Sequence, residues 1–169
     1  MSEWQEVLRT LRQPEYVHVL LNPLPVYGTL CGVLALVVSL LLRSRPAQIT
    51  ALVIVVFACA SVWPVIEFGH QAYDRVYSMS NSVGQQWLDA HTDHAQKGQW
   101  VFYATGLLAL TALVAPWKFP RSATPLALAA LIASLVCLDV GAWISHAGGQ
   151  IRHTEFRNGP PPPVGREGG

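Results

Sequence analysis

The runs CGVLALVVSLLL, residues 31–42, and ITALVIVVFACA, residues 49–60, decide the fold. A helix of a soluble bundle turns a polar face to water, and these two have almost none. Extended outward, they become apolar segments from Pro23 to Leu42 and from Ile49 to Phe68. Two more of similar length follow, from Gln99 to Trp117 and from Pro125 to Ile144. A bilayer core needs about 20 predominantly apolar residues in a helix, so the sequence predicts an all-α integral membrane four-helix bundle.

Composition agrees. Of the 169 residues, 51% are hydrophobic and 12% charged, about half the charge of a soluble domain. The net charge is +1 and the basic residues are scattered, so no electrostatic footprint for nucleic acid is visible. Cys31, Cys59 and Cys137 lie inside apolar runs without paired spacing and read as small core hydrophobes. The start, MSEWQEVLRTLRQPEY, lacks the basic residues and apolar centre of a secretory signal, so cleavage is not expected.

Local signals refine the segments. Asn22 is a candidate cap, with Pro23 and Pro25 in the first turn of the first span, where their missing amide hydrogens cost nothing. Pro64 should kink the second span one turn before Glu67. Three units are expected: residues 1–14, an interfacial amphipathic helix with Trp4, Val7, Leu8 and Leu11 on one face; residues 15–156, the bundle; and residues 157–169, a disordered Pro/Gly tail. Packing of the first helix against a partner subunit is the rival reading.

An even number of spans puts both termini on one side of the membrane. The opposite side carries Arg43, Arg45, Lys118 and Arg121 in two tight loops with no acidic residue, which the positive-inside rule assigns to the cytoplasm. The expected location is the bacterial inner (cell) membrane, with both termini extracytoplasmic. All six histidines (His18, His70, His91, His94, His146 and His153) fall on the terminal side or at its membrane edge.

Four helix ends therefore bring an imidazole toward one layer, an arrangement that bundles use to hold haem iron or a metal between facing helices. Two ionisable groups join them, because charge within a membrane is costly unless paired or facing a cavity. Asp139 lies about two turns inside the fourth span, on a face with Trp143 and His146 that should point into the bundle, and Glu67 precedes His70 by three. For a haem b, the candidate binding residues are His18, His94 and His146, then His70, walled by Trp63, Trp100 and Trp143, with Gly98 and Gly141 making room. No CxxCH motif for covalent attachment is present. For a bare zinc, iron or copper ion, His91, His153, Glu67 and Asp139 supply further nitrogen and oxygen ligands. Within HTDH, residues 91–94, His94 stands next to the bilayer and His91 reads as its solvated neighbour.

The set EYVHVLLNPLPVYG, HTDHAQKGQWVFYATG and WISHAGGQIRH, in that order on four spans, resembles the small bacterial four-span membrane proteins catalogued as domain of unknown function 2231. The resemblance covers about residues 15–156. It implies functional weight for His18 and Pro25, for His91 or His94, and for Gly148, Gly149 and His153. The family has no settled activity, so it implies topology rather than reaction.

The function expected is a membrane electron-transfer protein, or an accessory subunit of a larger membrane complex, holding haem b or another metal in the histidine layer. Its partners would be lipid, other membrane subunits or an electron-transfer partner. A cofactor-free structural subunit is the alternative. An enzyme using a metal site with Glu67 or Asp139 as base ranks last, since no catalytic nucleophile or oxyanion hole can be assigned.

Overall fold

A computed structural model describes residues 2–161. Seven α-helices run in order: α1 Glu3–Thr10, α2 Pro14–Leu21, α3 Pro23–Leu41, α4 Arg45–Ala60, α5 Val62–Ser78, α6 Ser82–Val114 and α7 Ala123–Arg152. Joined where the chain passes almost straight through, they make four rods, Pro14–Leu41, Arg45–Ser78, Ser82–Trp117 and Pro120–Arg152, each long and apolar enough to cross a membrane. Of the expected tail, residues 162–169 lie outside the described residues. Among the described residues there is no strand.

The joints have local causes. Asn22 is not the expected cap: its backbone is helical and its side chain makes no capping bond, because the chain passes from α2 into α3 without unwinding. The ladder is interrupted there because the prolines at 23 and 25 cannot donate to a carbonyl four residues earlier. The break between α4 and α5 falls at Ser61, three residues before Pro64, and the Ser61 hydroxyl donates to the Ala58 carbonyl at 2.7 Å.

The third segment is much longer than its apolar core. Asn81 caps α6 by accepting from the Gly84 amide at 2.8 Å, and the helix then runs for 33 residues. At about 1.5 Å per residue that is roughly 50 Å, well beyond a hydrocarbon core of about 30 Å. DAHTDHAQKGQW, residues 89–100, is therefore helix throughout, and α7 likewise continues two turns past Ile144 to Arg152. Both helices project into the layer where α2 and the end of α5 lie.

The bundle is held by small residues in facing stripes. On α6, Gly84, His91, Gly98, Thr105 and Ala112 recur every seven residues, and on α7 so do Ala127, Ser134, Gly141 and Gly148. All are buried except His91 and Gly148, which are partly so. A methyl group on Gly98 would meet Val140 and Ile144 at 2.8 and 2.7 Å, and one on Gly32 of α3 would meet Val55 of α4 at 2.5 Å. Close backbone approach of this kind is how helices able to cross a membrane associate where lipid would supply no hydrophobic drive. Leu36, Ala51, Leu52, Val55, Ala109 and Ala130 are fully buried between the four rods.

At the opposite end from the termini, α3 closes in a Schellman motif. The Ser44 amide donates to the Ser39 carbonyl and the Arg43 amide to Leu40, with Arg43 itself at a φ of 50°. Arg45 reaches across to the Ala112 carbonyl at 3.0 Å and covers the end of α6.

Candidate functional site

At the terminal end the rods diverge around a cavity of about 550 Å³ bounded by α2, α5, α6 and α7. Its walls are mainly apolar, with Gln13, Glu15 and Arg152 among the polar lining residues. A smaller cavity reached by Pro25, Val62, Phe102 and Gly141 shares Asn22, Val65 and Ile144 with it. The larger volume lies within the range of about 300–1,000 Å³ used by small-molecule and cofactor sites.

Two imidazoles line this cavity from opposite rods. His18 of α2 and His91 of α6 have ring centroids 6.3 Å apart and planes at 81°. Each is oriented the same way. His18 Nδ1 lies 2.8 Å from the Val65 carbonyl of α5, and His91 Nδ1 lies 3.0 Å from the Ile144 carbonyl of α7. A carbonyl only accepts, so each Nδ1 carries the proton and each Nε2 is left with its lone pair. Metal-bound histidines are commonly tied through their other ring nitrogen in this way.

Supporting contacts hold the four elements together. Tyr73 of α5 donates its hydroxyl to the Asp89 carboxylate of α6, and Arg75 of α5 pairs with Glu15 of α2. Arg157 folds back to donate to the Gln150 and Ile151 carbonyls, both at 2.8 Å, and also reaches Asn81. It thereby satisfies the end of α7 and ties it to the start of α6.

The remaining expected residues divide. His70 lines the same cavity but is exposed. His94 is turned about the α6 axis away from His91 and stacks on Trp143, with centroids 3.7 Å apart. His146 meets the edge of Trp87, so neither faces His18. It is His91, not His94, that stands opposite His18. His153 is exposed and bonded to Glu155 at 2.9 Å, and Glu67 accepts from Gln71 at 2.8 Å on the outer surface. Asp139 does not point into the bundle: it is exposed, two residues from Cys137 and so on the far side of α7 from its small-residue stripe. Trp63, Trp100 and Trp143 are 67%, 67% and 46% exposed and wall no part of the cavity. Gly98 and Gly141 make room for neighbouring helices, Gly141 for Val26 at 2.9 Å.

Among the described residues no three His, Cys, Asp or Glu side chains converge as ligands for a metal ion. The chain matches no family model, and neither the curated proteins nor the solved structures hold one detectably similar to it.

Proposed function

We propose that this is a multi-pass membrane electron-transfer protein, or an accessory subunit of a larger membrane complex, that holds one haem b between His18 and His91. The observation that carries this reading is their 6.3 Å separation where both line a cavity of about 550 Å³. A metal–imidazole bond of about 2.0–2.1 Å plus roughly 1 Å to the ring centre puts two trans imidazoles roughly 6 Å apart, centre to centre. Two nitrogens are too few for an ordinary zinc or iron site, whereas a porphyrin brings four of its own. Bound there, haem would supply reversible one-electron chemistry.

The residues would divide the work. His18 and His91 would hold the iron through their free Nε2 atoms, and a metal held by two protein side chains in this way is suited to electron transfer rather than to binding a substrate. The Val65 and Ile144 carbonyls fix each tautomer. Arg152, with no acidic partner among the described residues, is suited to a propionate at the rim. Val76 and Ile151, partly buried on the cavity wall, would supply apolar surface to the ring.

In this reading α1, with Trp4 77% and Leu8 61% exposed opposite its charged face, lies in the membrane interface. The membrane is the bacterial inner membrane, and the histidine layer is extracytoplasmic, as the basic short loops at Arg43, Arg45, Lys118 and Arg121 support. The family resemblance of residues 15–156 is consistent with that topology. Labelling of single cysteines at positions 44 and 82 from outside intact cells tests it: reaction at 82 alone is expected, and reaction at 44 alone reverses the orientation.

The haem itself is tested by absorption of the purified full-length protein, oxidised and then reduced with dithionite. A Soret band and sharp reduced bands are expected. Their absence, with no metal by elemental analysis, contradicts any cofactor and leaves the cofactor-free structural subunit.

A further inference from the structure

We propose that Gly69 and Gly148 are positioning residues that hold the His18 and His91 rings crossed, so that the bound haem has near-perpendicular axial imidazoles. This rests on the haem reading above.

The two halves of the site are built by one device used twice. His18 donates to the Val65 carbonyl, and Gly69 stands four residues later on α5. His91 donates to the Ile144 carbonyl, and Gly148 stands four residues later on α7. In an α-helix the carbonyl of residue i already accepts from the amide of residue i+4, whose side chain flanks that carbonyl. A slim hydroxyl or thiol can still reach such a carbonyl, as Thr105 reaches Ala133, but a flat imidazole ring needs more room on that flank.

Glycine opens it. A Cβ at Gly69 would lie 3.1 Å from both Cε1 and Nδ1 of His18, and a Cβ at Gly148 would lie 3.1 Å from the same two atoms of His91. Both distances are inside ordinary van der Waals contact. Each ring is thus held by a carbonyl at its Nδ1 and by a helix backbone against it, which leaves it little freedom to rotate. The two helices that supply these holds are different, and the rings they fix stand at 81°.

Nothing about ligation alone requires that angle, and a pair of loosely held imidazoles could relax toward parallel. Crossed planes leave the iron d orbitals of a low-spin ferric haem nearly degenerate. The electron paramagnetic resonance signature is then a single low-field feature of large g, whereas parallel planes give a rhombic three-line spectrum.

The experiment is that spectrum on the full-length oxidised protein, with Gly69→Ala, Gly148→Ala and Gly32→Ala beside it. The wild type should show the large-g feature. Each of the two site variants should move it toward lower g or convert it to the rhombic form while absorption still reports bound haem. Gly32→Ala crowds the α3–α4 contact outside the cavity and should leave it in place. A rhombic wild-type spectrum overturns the crossed geometry while low-spin haem bands still uphold the haem reading. A large-g feature that neither site variant moves overturns the role of the glycines. No Soret band in the wild type overturns both readings together.

Discussion

The α6–α7 contact uses the same seven-residue spacing along its whole length, yet its two ends have opposite contents. Toward the short loops, Thr105 and Ala112 on one helix and Ala127 and Ser134 on the other are all buried and small. Only the hydroxyls there need partners: Ser134 donates to the Ala130 carbonyl at 2.7 Å, and the Cys137 thiol lies 3.1 Å from Thr105 Oγ1. Toward the termini the same stripe carries His91, and the opposing stripe answers with Gly148. One end is closed by small residues on both sides. The other sets a large polar ring against a missing side chain, and the rods diverge around a cavity. The difference teaches that the histidine layer is part of the packing design of the bundle, and that the stripe decides which histidine faces inward.

Removing an imidazole should have the largest effect. On the proposed reading His18→Ala would remove one of the two residues holding the haem, and haem retained per protein after detergent washing should fall by about tenfold or more, on the scale known for disrupted metal sites. Retention equal to wild type would detach His18 from the site. At the closed end the comparable insult is steric. Gly32→Leu forces bulk against Val55, where even a methyl carbon would come within 2.5 Å, and should cost about 1–3 kcal/mol in thermal unfolding in detergent without altering bound haem per folded protein. The smallest effect has the opposite sign. Arg43 occupies the left-handed position of the Schellman motif that glycine takes most easily, so Arg43→Gly should stabilise by about 1 kcal/mol. Unchanged or lower thermal stability would contradict the strain assigned to Arg43.

Much of the fold is legible in the sequence because lipid imposes a simple rule. The four apolar segments, their order, the proline positions and the placing of every histidine toward one end follow from length and hydropathy. The site was harder to read. His91 and His94 differ by three positions, which on a helix is a turn of about 60° from one another, and that decides between the cavity and Trp143. Proximity to the apolar segment favours His94 in the sequence alone. The deciding signal is instead the seven-residue series Gly84, His91, Gly98, Thr105, which assigns His91 to the packed stripe.

Gly69 gives less warning, since its meaning depends on the first two rods packing side by side so that His18 of α2 meets α5, a contact between residues 47 apart in sequence. Asp139 misleads for the converse reason. A carboxylate within an apolar run suggests an inward group, but the small-residue stripe of α7 fixes which face packs, and Asp139 is off it. The tryptophans misled because aromatic residues suit both a cofactor wall and the lipid interface, and Trp63 and Trp100 face outward.

The claim at the centre is that His91, and not His94, opposes His18. The most direct measurement is the dithionite-reduced absorption spectrum of His91→Ala beside that of His94→Ala, each normalised to folded protein. The expected result is loss or wholesale change of the haem bands in His91→Ala and a spectrum close to wild type in His94→Ala. The reverse pattern, or wild-type haem bands in both, would contradict the account.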